Sequence, residues 1–153
     1  MATPRAEARD AAEWFWFLGT RMAVRASAAD TGGHYGLIEQ TLPYGFAPPA
    51  HIHHNEDEQF YILEGQITFR CQGREFVAGP GTIVLLPRGA AHSFHVDSPG
   101  GARLLQLTTP GGVEEFFVAL GSAEPPTDAP NFDELQALAN QFQIEFVGDA
   151  EAR

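Results

Sequence analysis

Three histidines and one glutamate occur in this chain at spacings that suit a single metal site. His51 and His53 are two residues apart, so a strand would direct both side chains to the same face. Glu58 follows five residues after His53, which requires a turn or bulge between them, and His92 comes from a later strand. Imidazole and carboxylate together suit a divalent transition metal (iron, manganese, nickel, cobalt, copper or zinc) rather than calcium or magnesium.

Many short strands are needed to bring these four residues together. From Trp14 to about Thr109, short apolar runs alternate with Gly, Pro and Asp clusters, which is typical of strands joined by tight turns. This texture favours an all-β sandwich or closed antiparallel barrel over a parallel sheet. The predicted strands are 15–18, 22–26, 35–42, 50–53, 59–64, 66–71, 74–77, 83–86, 91–96 and 102–108.

The two ends of the chain differ in texture from the middle. Apolar residues recur at helical spacing over 112–120 and 131–142, with a Pro-rich linker between, so we expect two short helices packed outside the barrel. Residues 1–12 are expected to be a frayed or helical lead-in. We therefore predict a single domain over 1–153, with a barrel core at about 14–109 and a helical tail at about 112–147.

Composition excludes several partners. A formal charge of −11 on 153 residues repels phosphate backbones and anionic lipid, so neither nucleic acid nor a membrane surface is expected as a partner. Cys71 is the single cysteine, which leaves no intrachain disulfide and fits a reducing compartment. No signal peptide and no apolar run of membrane-spanning length is visible, so the prediction is a cytoplasmic protein.

Strand alternation predicts which side chains share a face with the ligands. If Glu58 points inward, Phe60 and Ile62 point inward too, and an inward His92 takes Phe94 with it. Such a cavity would be apolar and aromatic, as small-molecule sites usually are. An aromatic residue near a site is also often plain core. The residues predicted to line the substrate pocket are Phe60, Ile62, Phe94, Phe46 and Trp16.

The chain carries two blocks that resemble the two sequence motifs of the cupin superfamily. The first reads Gly-x5-His-x-His-x4-Glu-x6-Gly, at Gly45, His51, His53, Glu58 and Gly65. The second reads Gly-x5-Pro-x-Gly-x2-His, at Gly81, Pro87, Gly89 and His92. Where the family has a final Asn, this chain has Val96, which puts a local hydrogen bond in doubt but no metal ligand. The flanking segments resemble bacterial single-domain cupins labelled quercetin 2,3-dioxygenase-like.

The resemblance implies a jelly-roll barrel in which His51, His53, Glu58 and His92 bind the metal. It further implies a dioxygenase for a small enolisable or flavonol-like compound, with Glu58 both ligand and general base, and dioxygen as a possible co-substrate. A metal-dependent isomerase, lyase or cyclase without oxygen chemistry, and a non-catalytic small-molecule-binding cupin, stay open as alternatives. Relatives commonly dimerise, so a homodimer is expected, with the aromatic run 14–17 as a candidate interface.

The remaining histidines fall outside the motifs or on the opposite face of a strand. We expect His34, His54 and His95 to face solvent or to make hydrogen bonds. His54 could alternatively support a metal ligand from behind. Glu56 and Asp57 are expected to be turn residues between His53 and Glu58.

Overall fold

The computed structural model describes residues 3–148 and consists mainly of β-strands. The strands are β1 Trp14–Phe17, β2 Thr20–Ala26, β3 Gly36–Leu42, β4 His51–His53, β5 Asp57–Glu64, β6 Ile67–Cys71, β7 Arg74–Ala78, β8 Ile83–Leu86, β9 His92–Val96, β10 Ala102–Thr109 and β11 Ile144–Phe146. The helices are α1 Ala28–Thr31, α2 Glu114–Leu120 and α3 Phe132–Gln141, and a 3-10 turn spans Arg9–Ala11. None of the helices within 3–148 is long and apolar enough to cross a membrane.

The strands form two antiparallel sheets, and the predicted all-β jelly roll is confirmed. One sheet has the order β1-β2-β3-β10-β5-β8 and the other has the order β11-β4-β9-β6-β7. Consecutive strands often lie in different sheets, which is how a jelly roll brings distant segments side by side. The metal-site candidates on β4 and β9 therefore belong to one sheet, and Glu58 on β5 belongs to the other.

The core lies between the inward faces of the two sheets. Phe60, Ile62 and Leu104 from the larger sheet pack in one cluster with Phe69 and Phe94 from the smaller sheet. The predicted alternation holds along β5, where Glu58, Phe60 and Ile62 are buried. This alternation leaves Glu58 buried inside the barrel among apolar side chains.

A second apolar cluster joins the two main helices to the barrel. The ring of Phe17 on β1 meets Phe116 and Phe117 of α2 edge-on, with centroids 5.7 and 5.0 Å apart. Leu135 and Ala139 of α3 are buried in the same cluster. Helix α3 begins after Asn131, whose side chain accepts hydrogen bonds from the backbone N–H groups of Asp133 and Glu134.

The tail also contains a strand that the sequence analysis missed. After α3, Ile144 pairs with His53 and Phe146 with His51, so β11 adds an edge to the smaller sheet beside β4. Three residues are too few to show strand alternation, and no strand was therefore predicted after the second helix. The consequence is that the strand carrying two histidines is braced from the C-terminal end of the chain.

Glu114 is a buried carboxylate that joins two distant loops. Its Oε1 accepts a hydrogen bond from the backbone N–H of Ala28 at 2.5 Å, and its Oε2 accepts one from Gly112 at 2.8 Å. Both bonds satisfy backbone groups near the ends of short helices. Glu114 therefore anchors the start of α1 to the start of α2.

The motif glycines have a physical explanation in the backbone. Gly65 has φ +81°, and a Cβ placed there would lie 2.3 Å from the carbonyl oxygen of Gly101 and 2.8 Å from the Cα of Ala102. Gly45 has a similar φ of +76°, yet a Cβ there would meet nothing within 4 Å. Gly65 is thus required by both backbone conformation and close packing, and Gly45 by conformation alone.

Candidate metal centre

The structure brings His51, His53, Glu58 and His92 together inside the barrel. Each can offer one ligand atom, and these four atoms all lie within 4.8 Å of one another. His51 and His92 sit opposite each other in the β4–β9 pairing, and a bend after His53 turns the chain across to β5 and Glu58. The four residues form a cluster able to bind a metal ion, in agreement with the predicted metal site.

The backbone sets the orientation of two imidazole rings. The Nδ1 atom of His51 lies 2.8 Å from the carbonyl oxygen of Pro49, and that of His92 lies 3.1 Å from the carbonyl oxygen of Ala90. A carbonyl oxygen only accepts hydrogen bonds, so Nδ1 carries the hydrogen in both rings. In the neutral ring, Nε2 then presents a free lone pair to the cluster, as a metal ligand must.

His53 is oriented by a carboxylate. Its Nδ1 lies 3.4 Å from Oε2 of Glu56, and Asn55 donates a hydrogen bond to the other Glu56 oxygen at 3.1 Å. Glu56 lies in the turn between β4 and β5, as predicted, but its side chain is buried at 4% exposure. It supports the ring that faces the cluster, and its position three residues after His53 is the one signal that could have identified it.

The other histidines lie away from the cluster. His54, which had been considered as a support for a ligand, places its Nε2 2.7 Å from Oε2 of Glu145 on β11. His95 places its Nδ1 2.9 Å from Oδ1 of Asp97 on the outer face, and His34 is exposed. Their placement matches the expectation of surface or hydrogen-bonding roles.

Two buried ligand atoms in the cluster lack hydrogen-bond partners among the described residues. They are Oε2 of Glu58 and Nε2 of His92. The two atoms are 2.9 Å apart, and Nε2 of His53 is 3.4 Å from the same oxygen, but the angles do not make a hydrogen bond. Unpaired buried polar atoms are costly, and a shared cation would satisfy them together. The donor set therefore fits a divalent transition metal.

The neighbouring groups in the cluster reinforce the effect of burial on the pKa of His51 and oppose it for Glu58 and His92. Burial, followed by the neighbouring His92 and His53, lowers the pKa of His51 to about 3, so this ring is neutral at physiological pH. Burial alone would raise the pKa of Glu58, but the nearby His53 and His92 outweigh it and lower the pKa overall. Burial alone would lower the pKa of His92, but the carboxylate of Glu58 outweighs it and raises the pKa overall. A proton and a metal therefore compete for the same side of His92.

The cluster opens into a small, largely apolar cavity of about 60 Å³. Of the residues predicted to line the pocket, the structure places Phe46, Phe60 and Phe94 there. A larger groove of about 700 Å³ lies on the outer face of the smaller sheet, beside Arg70 and His95, and does not contain the cluster. The small cavity, and not the large groove, is therefore the candidate site.

Two predicted pocket residues do not line this cavity. Ile62 faces inward but lies further along β5, fully buried in the core. Trp16 points to the opposite side of β1, where the guanidinium of Arg21 lies 5.7 Å from its ring centroid. Its neighbour Phe17 lines the cavity instead, together with Phe117 from α2. Strand alternation could have indicated Phe17, whereas nothing near Phe117 in the sequence links α2 to the cavity.

Two glutamines also line the cavity and were missed. Gln106 on β10 donates a hydrogen bond from Nε2 to Oε1 of Glu58 at 2.6 Å. Gln40 on β3 donates in turn to Oε1 of Gln106. The two amides and the carboxylate form one buried chain of hydrogen bonds.

Val96, which departs from the resembled motif, keeps local hydrogen bonds through its backbone. Its N–H donates to the carbonyl oxygen of Phe46 at 3.0 Å, and its own carbonyl accepts from Gly45 at 3.0 Å. The loop that leads to His51 is therefore attached to β9 without a side-chain amide at this position.

Comparison with known proteins places this geometry in context. The family model described as Cupin domain matches residues 38–108. The chain is 32% identical to quercetin 2,3-dioxygenase from Bacillus subtilis (strain 168) over 96 residues. That match covers 63% of this chain and 28% of the relative, so the chain corresponds to little more than a quarter of that protein.

Solved structures with similar folds have diverse descriptions. KdgF from Halomonas sp. superposes with a TM-score of 0.66 at 16% identity, covering 74% of this chain and 99% of that one. Streptomyces PAC13, solved with uridine, gives a TM-score of 0.60 at 15% identity, covering 74% and 87%. At these identities the likeness shows a shared fold.

Proposed function

We propose that this chain, a cupin superfamily protein resembling quercetinase-like proteins, is a metal-dependent dioxygenase that acts on a small enolisable compound. His51, His53, Glu58 and His92 would hold the metal. The observation that carries this proposal is the convergence of three imidazole nitrogens and one carboxylate oxygen, two of them buried without hydrogen-bond partners among the described residues. Similarity to quercetin 2,3-dioxygenase supports the oxygen chemistry.

The proposed metal would supply a Lewis acid that polarises a bound substrate oxygen and brings dioxygen and substrate together. Four protein ligands leave coordination positions free on an ion that takes five or six. Phe46, Phe60 and Phe94 would form apolar walls that exclude water and orient a flat substrate. The protein thus contributes positioning and a dry site.

Glu58 is the residue we propose as general base. The nearby histidines hold its pKa below the ordinary range despite burial, so its carboxylate is ionised at neutral pH. An ionised carboxylate can accept the proton of an enol or hydroxyl group brought against it. Since one oxygen of this carboxylate also belongs to the proposed ligand set, Glu58 would serve both roles.

Cavity size bears on the choice of substrate. About 60 Å³ is far below the roughly 300–1,000 Å³ typical of pockets for drug-sized ligands. A flavonol would require the walls to open, and Phe117 on α2 and Pro48 in the loop before β4 are wall residues outside the rigid sheets. The size favours a small enolisable compound such as a short β-diketone over a flavonol.

A metal-dependent isomerase, lyase or cyclase is the second candidate. It is favoured by the same ionised Glu58, because proton abstraction beside a Lewis acid needs no oxygen. A protein with a similar fold, Pac13, is described as a nucleoside dehydratase. That description shows that the fold accommodates chemistry other than dioxygenation.

Oxygen dependence separates the two candidates. The protein would be loaded with Fe(II), Mn(II), Ni(II) or Co(II), and oxygen uptake followed with β-diketones and flavonols. We expect uptake with a short β-diketone and one or more metals. Equal turnover under anaerobic conditions would support the isomerase or lyase instead. Metal binding with no turnover of any substrate, in air or without it, would contradict both and leave a binding role.

A further inference from the structure

Two buried amides behind the metal cluster require an explanation. Gln40 and Gln106 are each only 3% exposed, within a barrel that is otherwise lined largely by apolar side chains. A buried amide costs free energy unless its donors and acceptors are paired. Both project into the cavity from adjacent strands, β3 and β10.

The hydrogen bonds fix the direction of the chain of amides. A carboxylate can only accept, so Gln106 must turn its NH2 group toward Oε1 of Glu58, at 2.6 Å. The carbonyl oxygen of Gln106 then faces Gln40, whose NH2 group donates to it. Reversing the Gln106 amide would place its carbonyl oxygen against the carboxylate of Glu58, and reversing the Gln40 amide would place two carbonyl oxygens against each other.

The two oxygens of Glu58 therefore have different environments. Oε1 is held by Gln106, whereas Oε2 faces the imidazole nitrogens of His53 and His92 and has no hydrogen-bond partner among the described residues. A carboxylate with two free oxygens could rotate, or could bind a metal through both. The hydrogen bond restrains it in the orientation that aims one oxygen at the cluster.

We propose that Gln106, held in turn by Gln40, is a positioning residue that reserves Oε2 of Glu58 for the metal. This inference rests on the proposed metal site. By engaging Oε1, Gln106 disfavours coordination through both oxygens and so keeps a coordination position available to substrate. Gln40 contributes by preventing the Gln106 amide from turning over.

The test is cobalt(II) binding by full-length variants, followed by competition with a chromophoric chelator and by the visible spectrum. Gln106→Leu should weaken cobalt binding by about 10- to 100-fold, the usual effect of losing a partner behind a ligand. Its spectrum should change, because a released carboxylate can coordinate through both oxygens. Gln40→Leu should shift affinity and spectrum in the same direction by a smaller amount.

Thr108→Val is the matched control for these variants. Thr108 is buried on the same strand as Gln106, and its Oγ1 makes no hydrogen bond among the described residues. Valine has nearly the same shape, so cobalt affinity and spectrum should stay at the wild-type values. A general effect of altering polar groups on β10 would appear in this variant as well.

The outcomes distinguish the positioning role of Gln106 from the proposed metal site itself. Wild-type affinity and spectrum in Gln106→Leu would overturn the positioning role, and if that variant does not fold, the same result in Gln40→Leu would do so. Failure of the wild type to bind cobalt would contradict both the positioning role of Gln106 and the proposed metal site. Cobalt binding without oxygen uptake would contradict the proposed dioxygenase function, and the affinities and spectra of the variants would still decide the positioning role of Gln106.

An independent observation concerns the strands at one edge of each sheet. β7 and β8 end their respective sheets, and both expose apolar side chains. Val77, Ile83 and Leu85 are 61%, 55% and 64% exposed, and a groove of about 470 Å³ runs between the two strands. Exposed apolar edge strands invite pairing with another chain unless they are covered.

Charge indicates what covers this edge. No charged residue occurs from Phe76 to Pro87, in a chain whose formal charge is −11. Two such chains repel one another over most of their surfaces, but not here. The run 14–17 is a poorer candidate, because Phe17 is buried and the guanidinium of Arg9 lies over the Trp14 ring at 4.7 Å.

We infer that a second copy of this chain covers the β7–β8 edge, with β8 pairing antiparallel to β8 of the other copy. A two-fold axis between the two β8 strands would join two six-stranded sheets and bring Leu85 and Ile83 of both copies together. The edge backbone groups and the apolar side chains would be buried in the same contact.

The molar mass of the protein, measured by light scattering as it elutes from a size-exclusion column, tests this interface. The full chain should have twice the chain mass of 16.6 kDa, and Leu85→Glu should shift it to the mass of one chain while the far-UV circular dichroism spectrum stays that of the folded wild type. Val118→Glu, at a 52% exposed position on α2, is the control and should stay dimeric. A wild-type monomer at all concentrations, capture of a different protein in its place, or a Leu85→Glu dimer would overturn the inference.

Discussion

His92→Ala is the perturbation that tests the metal centre most directly. The His92 side chain is 2% exposed, and its Nε2 is one of the two buried atoms without a hydrogen-bond partner among the described residues. Truncation removes one of four ligands and leaves a cavity in the core. The first effect is seen only with metal present, whereas the second is present with or without it.

The magnitudes of the two effects follow from linkage and from packing. A metal at 1,000 times its Kd stabilises the folded state by about 4 kcal/mol. At about 2–4 °C per kcal/mol for a chain of this size, the wild type should melt about 8–16 °C higher with metal than with chelator. Truncating the buried ring should lower stability without metal by roughly 2–4 kcal/mol.

The assay is thermal melting with and without metal, for wild type, His92→Ala and Phe94→Leu. Phe94 is two residues further along β9, on the same face and also buried, so its variant shares the packing defect but keeps all four ligands. The metal-dependent increase should be near zero in His92→Ala and unchanged in Phe94→Leu. An equal increase in both variants, or none in the wild type, would refute the assignment of these four residues as ligands.

Three further predictions concern stability outside the cluster. Gly65→Ala should lower the free energy of unfolding by about 3 kcal/mol or more, because left-handed backbone strain of about 1–2 kcal/mol adds to the overlap of the new Cβ with the backbone of Gly101 and Ala102. Gly45→Ala places its Cβ in open space and should show only the strain, and urea titration of both variants measures the difference. Glu114→Ala should cost about 1–3 kcal/mol, because two backbone N–H groups lose their acceptor, and an unchanged denaturation midpoint would contradict the anchoring role. Burial alone would raise the pKa of Asp97, but the hydrogen bond from Thr68 helps to lower it overall. Asp97 therefore stabilises the fold above its unfolded pKa of about 3.9, and this contribution is lost as the pH falls below that value. The difference in stability between wild type and Asp97→Asn should accordingly be about 1 kcal/mol or less at pH 7 and should shrink below pH ~4.

Local periodicity was sufficient to predict most of the strands and which residues within each strand share a face. Residues two apart on a strand share a face, so His51 with His53, and Glu58 with Phe60, could be assigned without knowledge of the fold. Their spacing to His92 matches a recognised motif. These features are encoded within short stretches of chain, which is why ten strands were found within a few residues of their observed bounds.

The surroundings of the cluster depend on contacts between distant segments. Gln106 is 48 residues from Glu58 and 66 from Gln40, and only the packing of β3, β10 and β5 makes them neighbours. Phe117 reaches the cavity because α2 folds back against β1 and β3. A glutamine in an alternating strand gives no local sign of the carboxylate it will meet. Periodicity shows which way a side chain points, but its partner is set by which strands lie side by side, and that is a property of the folded barrel.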